Sequence, residues 1–306
     1  MFPKTAFVIV GPTASGKSDA AVSLSLENNG QIISADSVQV YRGLDIGSGK
    51  ITTSEMKGVP HHLLSIADPG QKFTVEDFRE LSNQALVQIF NSNCIPIIAG
   101  GTGFYIDTLV NNIRYPIIDD EVKTDLKNLD TAHLQKLADE LLPESVLKNF
   151  DLQNPTRLRN RIGLWQTHQE IPQPEIIKRD FEINFIWLGL NPSKEILLDR
   201  ITRRTDSRIN NGMVDEVSNL IETGIEPKWL KTVGLEYRLI TEHLENKTTL
   251  EDLRTQIIQA DLKYAKRQLT WFKRNKDIKW FEDPEELVKS VNLPTTTASA
   301  SKPTTT

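Results

Sequence analysis

One cysteine, Cys94, stands among 306 residues. That is too few for an internal disulfide or a cysteine-rich zinc site, and it suits a reducing cytosol. Cys94 itself reads as a small apolar residue beside a strand. No apolar stretch approaches the ~20 residues of a membrane span, so no membrane partner is expected. The amino terminus lacks a basic region followed by an apolar core and cleavage site; no signal peptide is expected, and a cytoplasmic location is. Histidines number five, two of them adjacent at His61 and His62. On an extended chain adjacent side chains point opposite ways, and no carboxylate spacing surrounds this pair. They read as packing or hydrogen-bonding groups rather than metal ligands.

Excess positive charge is also missing: the formal net charge is −5, which argues weakly against nucleic acid. The distribution says more. Lys263, Lys266, Arg267, Lys273, Arg274, Lys276 and Lys279 fall within one segment that holds a single acid, Asp277. A basic segment on an otherwise acidic chain is what a local polyanion site looks like, with a merely solvated helix face as the competing reading.

What is present begins with Phe7-Val8-Ile9-Val10 running into Gly11-Pro12-Thr13-Ala14-Ser15-Gly16-Lys17-Ser18. The pattern G-x-x-x-x-G-K-[ST] between a buried strand and a helix is a P-loop. Its backbone N–H groups and the helix dipole face a multiply charged anion. Lys17 adds a point charge, and Ser18 offers a hydroxyl to a magnesium ion (Mg2+) that bridges phosphate oxygens. The loop reads phosphate and ignores what is attached to it.

Strand-like runs recur at 7–10, 31–34, 95–99 and 183–190. Helical patterns lie between them, at 17–26, 74–90 and 195–204, and Thr74-Val75-Glu76-Asp77 reads as a capping box. This alternation predicts an α/β fold: a P-loop parallel sheet flanked by helices, with a helical insertion domain over the active-site edge. The expected parts are 1–115, the first part of the core; 116–178, the insertion; 179–292, the second part with basic carboxy-terminal helices; and 293–306, a Thr/Ser/Ala/Pro-rich disordered tail.

Ligands in such sheets bind beyond the strands' carboxyl ends. Asp36 falls there after Ile32-Ile33-Ser34-Ala35, where a carboxylate can ligate magnesium through water, take a proton, or cap a turn. Gly100-Gly101-Thr102-Gly103 is a second strand-to-loop turn, and Tyr41–Lys50 is a Gly-rich loop long enough to cover a ligand. Arg200, Arg204 and Arg208 recur every four residues. On a helix they form a cationic stripe suited to a diphosphate, or an exposed face paired with Glu195 and Asp199.

Together these segments resemble the tRNA dimethylallyltransferases (tRNA isopentenyltransferases). The resemblance rests on the P-loop, Ile33–Gly47, Val59–Leu64, Gly100–Thr102, Arg200–Arg204 leading into Gly212–Val217, and Lys266–Phe272, in family order. It implies transfer of a dimethylallyl group from dimethylallyl diphosphate to the exocyclic amine of the adenine just 3′ of a tRNA anticodon, with magnesium. By position Asp36 resembles the general base, and Gly11 to Ser18 the diphosphate loop. Thr13, Lys17 and Arg204 belong to the catalytic set, and Ser18 is the metal contact. Asp36, Ser37, Val38, Gln39, Thr102, Arg157, Arg161, Lys231, Gly234, Lys266, Arg267, Gln268, Trp271 and Lys273 fall where the family touches the anticodon stem-loop. Trp271, Phe272 and Tyr264, interleaved with basic residues, suit base stacking, with helix-packing core as the alternative that can coexist with it.

The sequence departs from the pattern at Asn160-Arg161, where the arginine falls one place late, and at Leu235-Glu236, which replaces an aromatic and a basic residue. A monomer is expected. Prenyl transfer to free adenine nucleotides, or a P-loop small-molecule kinase, would use the same loop.

Overall fold

The computed structural model describes residues 4–148, 150–245 and 249–291; the expected disordered tail at 293–306 lies outside them. The described residues divide into two compact units. One holds those up to Val110 and those from Asp180 onward, and the other is Asn111–Arg179.

The first unit opens with β1 (Lys4–Val10), in which every residue from Ala6 to Val10 is fully buried. A strand apolar on both faces belongs in the middle of a sheet covered on both sides. There follow α1 (Lys17–Glu27), β2 (Gly30–Ser34), β3 (His61–His62), α2 (Val75–Asn91), β4 (Ile95–Ala99) and α3 (Gly103–Asn111). Thr74 caps α2: its hydroxyl accepts the Asp77 N–H while the Asp77 carboxylate accepts the Thr74 N–H. That is the reciprocal pair read from the sequence, and it satisfies two donors that a helix start leaves orphaned.

In the second unit β5 (Ile113–Arg114) is followed by α4 (Asp120–Lys127), α5 (Thr131–Leu141), α6 (Glu144–Leu147), α7 (Pro155–His168) and β6 (Glu175–Ile176). β5 and β6 pair antiparallel. The unit has its own core of Leu126, Leu134, Ala138, Leu142, Leu158 and Ile162. Asn154 caps α7 by accepting the Thr156 and Arg157 N–H groups, with Pro155 in the first turn, where a missing N–H does no harm.

The first unit resumes with β7 (Ile183–Leu190), α8 (Lys194–Asn210), α9 (Met213–Glu222), α10 (Pro227–Val233), α11 (Leu235–Leu244), α12 (Leu250–Phe272), β8 (Lys279–Phe281) and α13 (Pro284–Lys289). The sheet order is β3-β2-β4-β1-β7-β8, and every neighbouring pair is parallel. Alternation along β1 sorts the two faces. Ala6, Val8 and Val10 pack with Phe78, Leu86 and Ile89 of α2 and Ile106 and Leu109 of α3. Phe7 and Ile9 pack with Ala20, Ala21 and Leu24 of α1 and Leu287 and Val288 of α13. Burying a side chain of that size contributes roughly 1.5–3 kcal/mol, so slipping β1 by one residue would forfeit both faces at once. A third cluster joins α9 to α12 with Val40, Tyr41 and Leu44.

One element differs from the sequence reading. The basic stretch expected to be helical ends as a helix at Phe272, and Lys279 opens the edge strand β8. Three residues are too few to show a period, and what makes them a strand is pairing with β7, which local sequence does not encode.

Candidate active site

Parallel strands bring the carboxyl ends of β1, β2, β4 and β7 to one edge. Past β1, Gly11 has φ 150°, and a Cβ there would lie 2.5 Å from the Leu190 carbonyl oxygen, so no larger residue fits. The Ser15 N–H donates to the Pro12 carbonyl at 3.2 Å, closing the loop. Gly16, at φ 93°, turns the chain into α1, whose first-turn N–H groups have no partner within the helix. The Lys17 ammonium donates to the Pro12 carbonyl at 2.6 Å. Burial, with help from the Arg204 charge, lowers its pKa to about 7, against an opposing pull from Asp36. An anion in the loop would push it back up.

The loops after β2 and β4 lock together beside it. The Ala35 N–H donates to the Ala99 carbonyl at 2.9 Å, and the Thr102 N–H donates to the Ala35 carbonyl at 3.2 Å. A Cβ on Gly100 would lie 2.2 Å from the Ala35 oxygen, which explains a glycine at this crossing. Asp36 Oδ1 accepts the N–H groups of Val38 (2.9 Å) and Gln39 (3.2 Å), the side-chain turn that aspartate favours. Thr102 Oγ1 accepts the Ser37 N–H at 3.3 Å. Beside these loops lies a cavity of about 500 Å³ whose wall includes Thr13, Lys17, Ser18, Asp36, Arg204 and Gln268. Tyr264 also lines the cavity, and burial, then the Asp36 charge, raises its pKa and keeps it neutral.

The arginine stripe faces that cavity. Arg200 donates to the Ser15 carbonyl at 3.0 Å. Arg204 donates to Thr13 Oγ1 at 2.6 Å and to Asp261 Oδ2 at 2.9 Å. Arg208 donates to the Gly47 carbonyl at 3.4 Å and lies 3.6 Å from the Glu236 carboxylate. Burial, then repulsion from Arg204, brings the Arg208 pKa down to about 10. Burial and the nearby Asp261 push Glu236 up, against the pull of Arg208. Only Arg203, which pairs with Asp199, follows the exposed-face reading. Two buried polar atoms on the cavity-lining residues have no hydrogen-bond partner among the described residues: the Ser15 hydroxyl and Arg204 Nε.

Two contributors, Asp261 and Glu216, were not singled out from the sequence, and a third, Gln268, has another role than the one expected. Asp261, with its side chain 2% exposed, anchors Arg204. Gln268, expected at RNA, turns inward: its Oε1 accepts the Thr13 N–H at 2.8 Å, and its Nε2 donates to the Gly101 carbonyl at 2.9 Å. Glu216 holds the loop after β2, accepting the N–H groups of Asp45 (2.9 Å), Ile46 (2.6 Å) and Gly47 (3.0 Å) and the Tyr237 hydroxyl (2.7 Å). That loop puts Ser48 and Gly49 in the cavity wall, so it is pinned rather than loose. The signal for Asp261 and Gln268 is their phase: both lie on the stripe of α12 that otherwise buries Leu253, Ile257, Ala265 and Phe272.

Other expected positions are placed as follows. Lys266, Arg267 and Lys273 are exposed, with Arg267 lying 5.5 Å over the Tyr264 ring. Trp271 covers Gly103, donates its indole N–H to Asp107 at 2.9 Å, and carries Arg274 stacked at 3.9 Å. Phe272, 2% exposed, is core and cannot stack on a base. Lys231 is paired with Glu245, and Gly234 opens α11 against Val38 and Tyr237. Arg157 and Arg161 belong to the second unit, where Arg157 pairs with Asp151 and Arg161 lies over Phe150. His61 bonds to the Val59 carbonyl and His62 to Gln31, the structural duty expected of them.

A parallel sheet with a P-loop motif on its central strand, and a carboxylate and arginines facing that loop, defines an α/β protein with a polar, arginine-lined cavity at its sheet edge. Known proteins narrow the class. The IPP transferase family model matches residues 39–275, and an isopentenyl transferase model matches residues 4–68. A tRNA dimethylallyltransferase of Thermoanaerobacter sp. (strain X514) is 36% identical over 303 residues, covering 93% of this chain and 95% of that protein. The crystal structure of the full-length tRNA isopentenylpyrophosphate transferase from Bacillus halodurans matches with a TM-score of 0.70 at 30% identity, over 94% of each chain. A tRNA isopentenylpyrophosphate transferase of Staphylococcus epidermidis matches with a TM-score of 0.68 at 30% identity, over 94% of this chain and 97% of that one. The chain belongs to the IPP transferase family.

Proposed function

We propose that this chain transfers a dimethylallyl group from dimethylallyl diphosphate to the exocyclic amine of the adenosine just 3′ of a tRNA anticodon. The observation that carries the reading is the meeting of a P-loop and Asp36 in one cavity, supported by relatives named for this reaction. A bond forms between the amine nitrogen and the allylic carbon, and the carbon–oxygen bond to diphosphate breaks. An adenine amine is a poor nucleophile, so the proton it sheds needs an acceptor, and Asp36 takes it. The electron pair leaves with the diphosphate, whose growing charge is met by Lys17, Arg204, Arg200 and the N–H groups opening α1. Thr13 acts with Arg204, to which its hydroxyl is bonded. The unpartnered Arg204 Nε suits an anion, because a buried guanidinium N–H without an acceptor is costly.

Magnesium fits the donor set. Among the described residues no group of three or more acids or imidazoles could cage a metal. The exposed Ser18 hydroxyl can supply one oxygen, leaving the rest to phosphate and water, as magnesium prefers. When bound, it would neutralise charge on the departing diphosphate. The acceptor base must leave its stack to react, and the exposed Lys266, Arg267 and Lys273 would hold the surrounding phosphates. We expect it to meet its tRNA in the cytoplasm and to act as a monomer.

The test is incubation with labelled dimethylallyl diphosphate and an unmodified anticodon stem-loop, followed by nucleoside analysis. Prenylated adenosine in the stem-loop is the expected product. Label appearing only in free adenine nucleotides, or consumption of ATP without any need for RNA, would replace this reading with the nucleotide acceptor or the kinase.

A further inference from the structure

Gln268 occupies an unusual place on α12. The helix buries Leu253, Ile257, Ala265 and Phe272, and Gln268 lies in phase with them, 5% exposed. A buried amide is unfavourable unless its hydrogen bonds are made. Here both are made, to two different loops. Oε1 accepts the Thr13 N–H at 2.8 Å and Nε2 donates to the Gly101 carbonyl at 2.9 Å. One partner is a donor and the other an acceptor, so only one orientation of the amide satisfies both. The seat is fitted closely: a Cβ on Gly101 would lie 2.2 Å from Nε2.

The two partners stand on opposite sides of the proposed reaction. Thr13 belongs to the loop that takes the diphosphate, and its hydroxyl is also held by Arg204. Gly101 precedes Thr102, whose hydroxyl accepts the N–H of Ser37, the residue after Asp36. The Thr13 N–H, engaged by the amide, is not offered to phosphate. We infer that Gln268 is a positioning residue for the transfer: its amide ties the donor cradle to the loop that flanks the acceptor base, and so sets the distance between the reacting atoms. Lys266 and Arg267, its exposed neighbours, face away from that bridge, so one turn of α12 serves RNA on its outer side and alignment on its inner side.

This inference rests on the prenyl-transfer reading, and it predicts a particular kinetic pattern. A displacement needs its reacting atoms held about 3–3.5 Å apart, and a misplacement of about 1 Å can lower the rate about 10²-fold without weakening either substrate's binding. Wild type, Gln268→Met and Gln268→Glu are compared with labelled dimethylallyl diphosphate and the anticodon stem-loop, recording kcat, both KM values, RNA affinity and Tm. Methionine fills the space without hydrogen bonds; glutamate keeps the acceptor for Thr13 and loses the donor to Gly101. The expected result is a kcat lowered about 10²-fold in the methionine variant and lowered also in the glutamate variant, with both KM values and RNA affinity close to wild type. If the methionine variant does not fold, the glutamate variant decides alone. A wild-type kcat in either folded variant overturns the inference. So does a loss confined to RNA affinity, which would make Gln268 an RNA contact. Failure of the wild type itself to prenylate the stem-loop would be recognisable as such, and would overturn both this inference and the reading beneath it.

Discussion

Arg204 is asked to do two things, and they can be separated. It is proposed to stabilise the departing diphosphate, and it neutralises Asp261, whose side chain is 2% exposed. A simple Arg204→Met replacement therefore strands a buried carboxylate. Breaking a buried ion pair from one side typically costs about 3–5 kcal/mol. Arg204 is itself 27% exposed, so water can follow it out and the lower figure applies. About 3 kcal/mol corresponds to roughly 10 °C in Tm for a domain of this size. Turnover should fall as well, by about 10² to 10³, the usual loss when one donor to a developing anion is removed. The double variant Arg204→Met with Asp261→Leu removes both charges together, and replacing a buried pair by apolar residues of similar bulk is close to neutral. We expect calorimetry to show most of the lost Tm regained in the double variant while the labelled-donor assay shows turnover still depressed. If turnover recovered in step with stability, Arg204 would be no more than the counter-ion of Asp261, and its place in the reaction would be refuted.

Titration of the cavity gives a further expectation. Lys17 has its pKa lowered to about 7 in the free protein, and Glu236 is pushed up from the usual carboxylate range. As pH rises through 7, Lys17 loses its positive charge and Glu236 gains a negative one, and both changes oppose an anion. Anion binding favours the protonated lysine, so donor affinity should be steady below pH 7 and weaken above it, by at most about tenfold per unit for one proton. The donor KM measured from pH 6 to 9 checks this, and a flat profile would contradict it. On the exposed side of α12, Lys266→Ala with Arg267→Ala should weaken tRNA binding and flatten its dependence on salt by about two phosphate contacts. Filter binding over a salt series reads the slope directly, and an unchanged slope would remove that helix from the RNA interface.

Where a residue's position in the fold coincides with a local signal, the sequence reveals that position. Lys17 sits in a motif whose spacing has a physical cause, and Asp36 and Thr102 follow apolar runs whose ends must meet at one sheet edge once the sheet is parallel. The capping box at Thr74 and the arginine stripe at Arg200, Arg204 and Arg208 are likewise local patterns, and their geometry follows from the helix period. Groups that act through distant partners are less legible. Glu216 looks like a surface acid on an amphipathic helix, yet it closes a loop some 170 residues away, joining Asp45, Ile46 and Gly47. Asp261 and Gln268 did leave a trace, since a polar side chain in phase with an apolar stripe needs a buried partner. The stripe cannot name that partner, because Thr13, Arg204 and Gly101 reach it only through the fold. Phe272 carried two readings, base stacking beside basic residues and helix-packing core, and its place in the helix phase decides for the core. β8 escaped because a three-residue edge strand carries no period of its own.

The account depends most on Asp36 serving as proton acceptor beside the diphosphate loop. Single-turnover transfer of labelled dimethylallyl to the anticodon stem-loop, by wild type and Asp36→Asn at matched saturation with both substrates, measures that step alone. A rate lowered by about 10² to 10⁴ with RNA and donor binding retained is the predicted outcome. An asparagine variant that transfers the group as fast as wild type would contradict it.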